Sequence, residues 1–203
     1  MKKLSMTMSL LLLAPAAVLA QGQGNVHASA QAKAHANVHS NVEVPATFSA
    51  SGRAKLEATY ARAREHHVPE EAIEHRVAEG QAKGASETQI LASSSKVEAN
   101  MEAAQEAMIK AGHHPSNDEV ESGAYAMERG VTQAQISTMA AHAQSGRSLD
   151  VAFGVLTKLS DQGVPVSNAV AQVQSKLDAH ASDAAITSLV TKAKGGVRVG
   201  GGL

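Results

Sequence analysis

The chain has 203 residues, with 18 Lys and Arg against 19 Asp and Glu, ten His, no Cys and no Trp. So near-neutral a charge leaves no electrostatic footprint for nucleic acid or for an acidic membrane surface. The missing cysteines exclude a disulfide framework and a lipid-modified N-terminal cysteine. Aromatic residues make up only 2%, so the core must use small side chains on closely approaching helices, with little to line a deep small-molecule pocket.

Residues 1–20 read as a secretory signal peptide. Lys2 and Lys3 precede an apolar stretch densest from Leu10 to Ala20, and Val18 and Ala20 supply the small residues before a cut. The stretch is too short and wrongly flanked for a membrane span. Cleavage after Ala20 predicts a soluble protein of the bacterial periplasm or the exterior, with no integral membrane association. Loss of Lys2 and Lys3 leaves 16 basic residues against 19 acidic ones, a formal charge of −3.

Residues 21–51 form a low-complexity segment. From Asn25 to Val44 nearly every even position is Ala or Val, with Ser40 the exception, and every odd position is polar or charged. Strict alternation is the period of a strand. Alanine is a poor strand former, however, and a lone strand has no partner. The expectation is an extended, disordered linker that becomes a strand only on a partner's sheet edge or on another copy of itself. His27, His35 and His39 share its polar parity, and a His-bearing tract is a candidate ligand set for zinc, copper or nickel.

Residues 52–196 read as helical and repetitive. A triplet recurs with Gly or His first, usually a small or apolar residue second, and Ser, Thr or Pro third. It begins at His67, Gly84, His114, Gly130, Gly146, Gly163 and His180, so the period is 16–17 residues except for one long unit. The first residue suits the left-handed end of a helix, where Gly has no steric penalty and His is enriched. The third suits the start of the next helix, as a cap or as Pro in the first turn. Ser86, Ser116 and Thr132 also have Gln89, Glu119 and Gln135 three residues on, the spacing of a capping box. In the long unit Gly112 competes with His114 as the terminator.

The apolar pattern keeps the same register. Four residues past each triplet stand Ile73, Ile90, Val120, Ile136, Ala152, Ala169 and Ile186. Eight past stand Val77, Ser94, Ala124, Ala140, Leu156, Val173 and Val190, of which only Ser94 breaks the series. Residues four apart share a helix face, so every unit has one apolar stripe. The middle triplet residue is placed to staple onto that stripe. In the long unit Ile90, Val97, Met101, Ala104 and Met108 continue the stripe over one helix of about 25 residues. With an earlier helix near Gly52–His66 carrying Leu56, Tyr60 and Ala63, the prediction is an all-α array. It has about eight mostly short antiparallel helices, stacked as a short solenoid or closed into a compact bundle. Residues 197–203 are a glycine-rich tail.

Glu65, His66, His67, Glu70, Glu71, Glu74 and His75 form the densest charged cluster. It does not match a zinc-protease helix: an inverted motif ending at Glu74-His75 needs His at position 71, where Glu71 stands. Pro69 also separates His67 from Glu71. Glu71 and His75 lie four apart on one helix and are a candidate pair of metal ligands, short of the usual three or four. Met101, Met108, Met127 and Met139 fall on or beside the stripes, as core methionines do. The chain has no Cys nucleophile, Gly-x-Ser-x-Gly elbow or phosphate loop. The functional expectation is a non-enzymatic binding or scaffold protein with a protein partner and no cofactor, self-association through the alternating segment being a further reading. The alternative is transition-metal binding through the histidines.

Overall fold

Helices begin and end in this chain where turn chemistry directs them. The computed structural model describes residues 45–143 and 146–196. They contain eight helices and no strand: α1 Ala50–Glu65, α2 Glu70–Ala82, α3 Glu87–Lys110, α4 Asn117–Glu128, α5 Gln133–His142, α6 Asp150–Asp161, α7 Val166–Asp178 and α8 Asp183–Gly196. The predicted signal peptide, the alternating stretch 25–44 and the 197–203 tail lie outside the described residues. None of these helices is long and apolar enough to cross a membrane.

Among the described residues a positive φ marks every junction between consecutive helices: His67, Gly84, Gly112, Gly130, Gly146, Gly163 and His180. At six of them the following N–H reaches the carbonyl five residues back. These bonds join Val68 to Ala63, Ala85 to Gly80, His113 to Met108, Val131 to Ala126, Val164 to Leu159 and Ala181 to Lys176, at 2.9–3.1 Å. This is the Schellman ending, which satisfies carbonyls the helix leaves open. Val68 and Val131 are buried and Val164 is half-buried, so the middle triplet residue both closes one helix and helps seat the next. The three capping boxes form as predicted on Ser86, Ser116 and Thr132, and each cap is worth about 1 kcal/mol.

Three boundaries differ from the sequence reading. Gly112, at φ +80°, ends the long helix in place of His114, because Gly reaches the left-handed region without a Cβ penalty and comes first in the chain. At the Gly146 junction α5 already stops at His142, and the first bond of α6 runs from Phe153 N–H to the Leu149 carbonyl. The helix thus starts one residue later than Ser148 predicts, and Ser148 Oγ accepts from Asp150 N–H at 3.2 Å. Arg147 fills the position that is apolar in most other triplets. Its guanidinium donates to the Ala181 carbonyl and to Asp183, both at 2.6 Å. Finally, the helical region begins before Gly52. Ser49 caps α1 through Gly52 N–H, and Phe48 is buried in the core.

The predicted stripes are the core. All seven residues of the first stripe are buried, from Ile73 to Ile186, and six of the second are buried, with Val190 partly so. Met101, Met108 and Met139 are fully buried, and Met127 is partly buried against the core. Substantial packing reaches only one or two helices along the chain, which makes an open array. Contacts α1–α3, α3–α5 and α5–α7 build one layer, and α4–α6 and α6–α8 build the other. A helix plus a reversing turn puts alternate helices parallel, so like ends meet. Ion pairs between like ends follow this rule: Arg129–Asp161 at 3.1 Å, His142–Asp178 at 2.7 Å and Arg147–Asp183 at 2.6 Å. Each is exposed on at least one side and contributes at most about 1 kcal/mol.

Ser94, the one polar member of the stripes, is fully buried on α3, and its hydroxyl has no hydrogen-bond partner. A buried unsatisfied hydroxyl costs about 1–3 kcal/mol, and Ala is the better helix former. Ser94→Ala is therefore expected to stabilise the protein by about 1 kcal/mol, read as a raised midpoint in urea unfolding.

Candidate functional site

α1 and α3 run side by side and parallel. Their N-termini are tied by Glu87, which accepts from Ser49 N–H at 2.9 Å and from Ser49 Oγ at 2.7 Å. These bonds hold the Glu87 carboxyl below its ordinary range. The carboxyl lies over Gly52, where a Cβ would displace it from Ser49. α3 has 24 residues and α1 only 16, so the C-terminal end of α1 comes to rest beside the middle of α3.

Between the two helices lies a solvent-open groove of about 440 Å³. Exposed Ala58 and Ala92 keep it clear, while Lys55, Thr59, Thr88 and Ser95 give it polar walls. Arg62 lines the groove and also fixes what lies beyond it. Its Nη2 donates to Thr59 Oγ1 and Ser95 Oγ, each at 3.3 Å, and its Nε donates to Glu98 Oε2 at 3.2 Å.

Past Arg62, His66 caps α1 and faces Glu98 and Glu102, one turn apart on α3. His66 Nδ1 lies 3.2 Å from Glu102 Oε1. One ligand atom from each of the three residues lies within 4.8 Å of the other two. Glu98 is the unusual member: its side chain is only 4% exposed, and its Oε1 is buried with no hydrogen-bond partner. Among the described residues this is the one group of three or more His or acidic side chains close enough to hold a metal ion.

The chain matches no family model, no curated protein and no solved structure.

The remaining sequence candidates are placed as follows. His27, His35 and His39 lie outside the described residues. Glu71 and His75 share the exposed face of α2, and among the described residues no third ligand joins them. The charged cluster around them is divided by the turn at Pro69. Arg64 takes Glu70 at 2.7 Å, and His67 turns the chain in the left-handed conformation, as does His180. Burial, with Glu71 and Glu70 adding, pushes the Glu74 carboxyl up.

His66 belonged to that charged cluster, but Glu98 and Glu102 did not. Their one signal in the sequence is a pair of acids four apart beside the buried Val97 and Met101 stripe. That spacing puts two like charges on one face, which costs a few tenths of a kcal/mol unless something cationic faces them. The missing piece was which helix faces them, and that is a tertiary fact.

Proposed function

We propose that the protein is exported, with cleavage near Ala20, and works in the periplasm or outside the cell as a non-enzymatic helical scaffold that docks a protein partner. The observation that carries this reading is the open groove between α1 and α3, in an array whose helices pack only on near neighbours. Such stacking leaves each layer an outer face for binding. The groove has Ala at its clear positions and hydroxyls, Lys55 and Arg62 at its walls. That mix suits an extended peptide with carbonyl and acidic groups.

The test is cross-linked capture from native envelope and culture medium. It compares the chain from Gln21, a version starting at Pro45, which keeps Phe48 and the Ser49 cap, and the Ala92→Arg variant. Arg is a good helix former, so Ala92→Arg fills the groove without opposing α3. The expected result is one specific partner held by the first two and reduced at least about tenfold by Ala92→Arg, a change of about 1.4 kcal/mol. Capture by the longer chain alone would move docking to the alternating segment. Equal capture by Ala92→Arg would remove the groove from the reading. Turnover of a substrate, lost on mutating a defined site, would end the scaffold reading.

A further inference from the structure

We propose that His66, Glu98 and Glu102 bind one divalent cation of the zinc class, bridging the C-terminal end of α1 to the middle of α3. The ligand set has one imidazole and two carboxylates, which suits a borderline cation better than the soft copper(I) or the all-oxygen calcium. Three protein ligands leave one position for water or for a group brought by a partner.

Three features of the site favour a cation. Glu98 carries a buried oxygen without a donor, an arrangement proteins rarely leave unexplained. Glu98 and Glu102 repel across one helical turn, and a cation between them reverses that repulsion. The C-terminal end of α1 carries the negative pole of its helix dipole at His66. Arg62 holds the second Glu98 oxygen at 3.2 Å. It acts as the outer partner that orients a ligating carboxylate, and its own charge moderates the affinity. Zinc bonds to N and O are about 2.0–2.2 Å, so ligand atoms now within 4.8 Å of one another must draw together. His66 and Glu102 are half-exposed, with side-chain exposures of 35% and 46%, and already meet at 3.2 Å.

The inference stands apart from the docking proposal, since metal binding is read without any partner. Titration calorimetry of the chain from Gln21 with zinc, manganese and calcium is the experiment. It is repeated on His66→Gln, on Glu102→Gln, and on a triple variant with His27, His35 and His39 changed to Ala. Expected is one zinc per chain with Kd below about 10 μM, weakened at least tenfold by His66→Gln and by Glu102→Gln and unchanged in the triple variant. Circular dichroism confirms that both site variants keep their helicity. No one-to-one zinc binding tighter than about 10 μM overturns the proposal. So does binding that survives both site variants, binding that disappears only in the triple variant, or a preference for manganese or calcium over zinc.

Discussion

Glu119→Ala is expected to destabilise the protein by about 3–5 kcal/mol, the cost of breaking a buried charged network from one side. Glu119 is 4% exposed and serves two helix starts at once. Oε2 accepts from Ser116 N–H at 2.8 Å and from Ser116 Oγ at 3.0 Å, closing the capping box of α4. Oε1 accepts from Leu149 N–H at 2.7 Å and lies 2.7 Å from His113 Nε2. Leu149 begins α6 with no side-chain cap of its own, so Glu119 supplies the acceptor that this helix start lacks.

Glu119→Gln separates the two roles. Gln serves a capping box as well as Glu, but its amide NH₂ would face the Leu149 N–H with a donor against a donor. A smaller loss of about 1–3 kcal/mol is expected. Amide exchange should then speed up in the first turn of α6 and stay unchanged in the first turn of α4. Urea unfolding and hydrogen exchange measure both effects.

The same residue sets an acid limit. Burial pushes the Glu119 carboxyl up, but the Ser116 and Leu149 amides and the His113 and Ser116 side chains outweigh it and hold the group below 4.5. A depressed carboxylate gives stability that is present above its unfolded value and lost as pH falls through the folded one. Asp150 works the other way. Burial raises its carboxyl above 3.8, so its charge costs stability at neutral pH and protonation relieves the cost. The wild type should lose stability below about pH 4.5, and Glu119→Gln should flatten that loss.

Phe153→Ala is the second large effect, at about 3–5 kcal/mol for a buried Phe truncated in a core. Phe153 is fully buried on α6. Its ring lies against α4 at Gly123, where an added Cβ would stand 3.7 Å from Cδ2 and Cε2 and 3.2 Å from Ala104 Cβ of α3. Gly123 lets α4 approach both neighbours, and the ring fills what remains at the joint of α3, α4 and α6. Stability in such an array is a sum of unit terms and neighbour interfaces. Phe153 sits at the interface joining α6–α8 to the rest, so the variant should unfold in two steps with α6–α8 first. Thermal unfolding followed by exchange-resolved mass spectrometry tests this. A single cooperative transition with a midpoint near wild type would contradict it.

The helical order was legible because its signals are local. A left-handed residue, a cap and a stripe four residues apart are all readable within one unit of 16–17 residues. Boundaries shift where two local rules compete or one is absent. Gly112 pre-empts His114, and at the Gly146 junction, where Arg147 stands in place of an apolar staple, Leu149 is the N-cap of α6 instead of Ser148. Ser94 looked like a break in the stripe, yet it is buried like its neighbours, because position on the helix face decides burial before side-chain chemistry does.

The candidate site was legible only in fragments. Glu119 showed its capping-box role in the Ser116-to-Glu119 spacing, whereas its bond to Leu149 crosses 30 residues. Likewise His66 stood out in a charged cluster, but its ligand partners lie on α3, and Glu71 and His75 drew attention for spacing that the fold leaves on an exposed face. By itself the sequence determined the all-helical class, the helix count among the described residues and the apolar face of each helix, since these follow from backbone conformation and a period of 3.6. Only the tertiary structure decided the open two-layer array, the α1–α3 groove and the meeting of His66 with Glu98 and Glu102. Those depend on which stripes pack together, and apolar stripes of similar small residues carry no address for their partner.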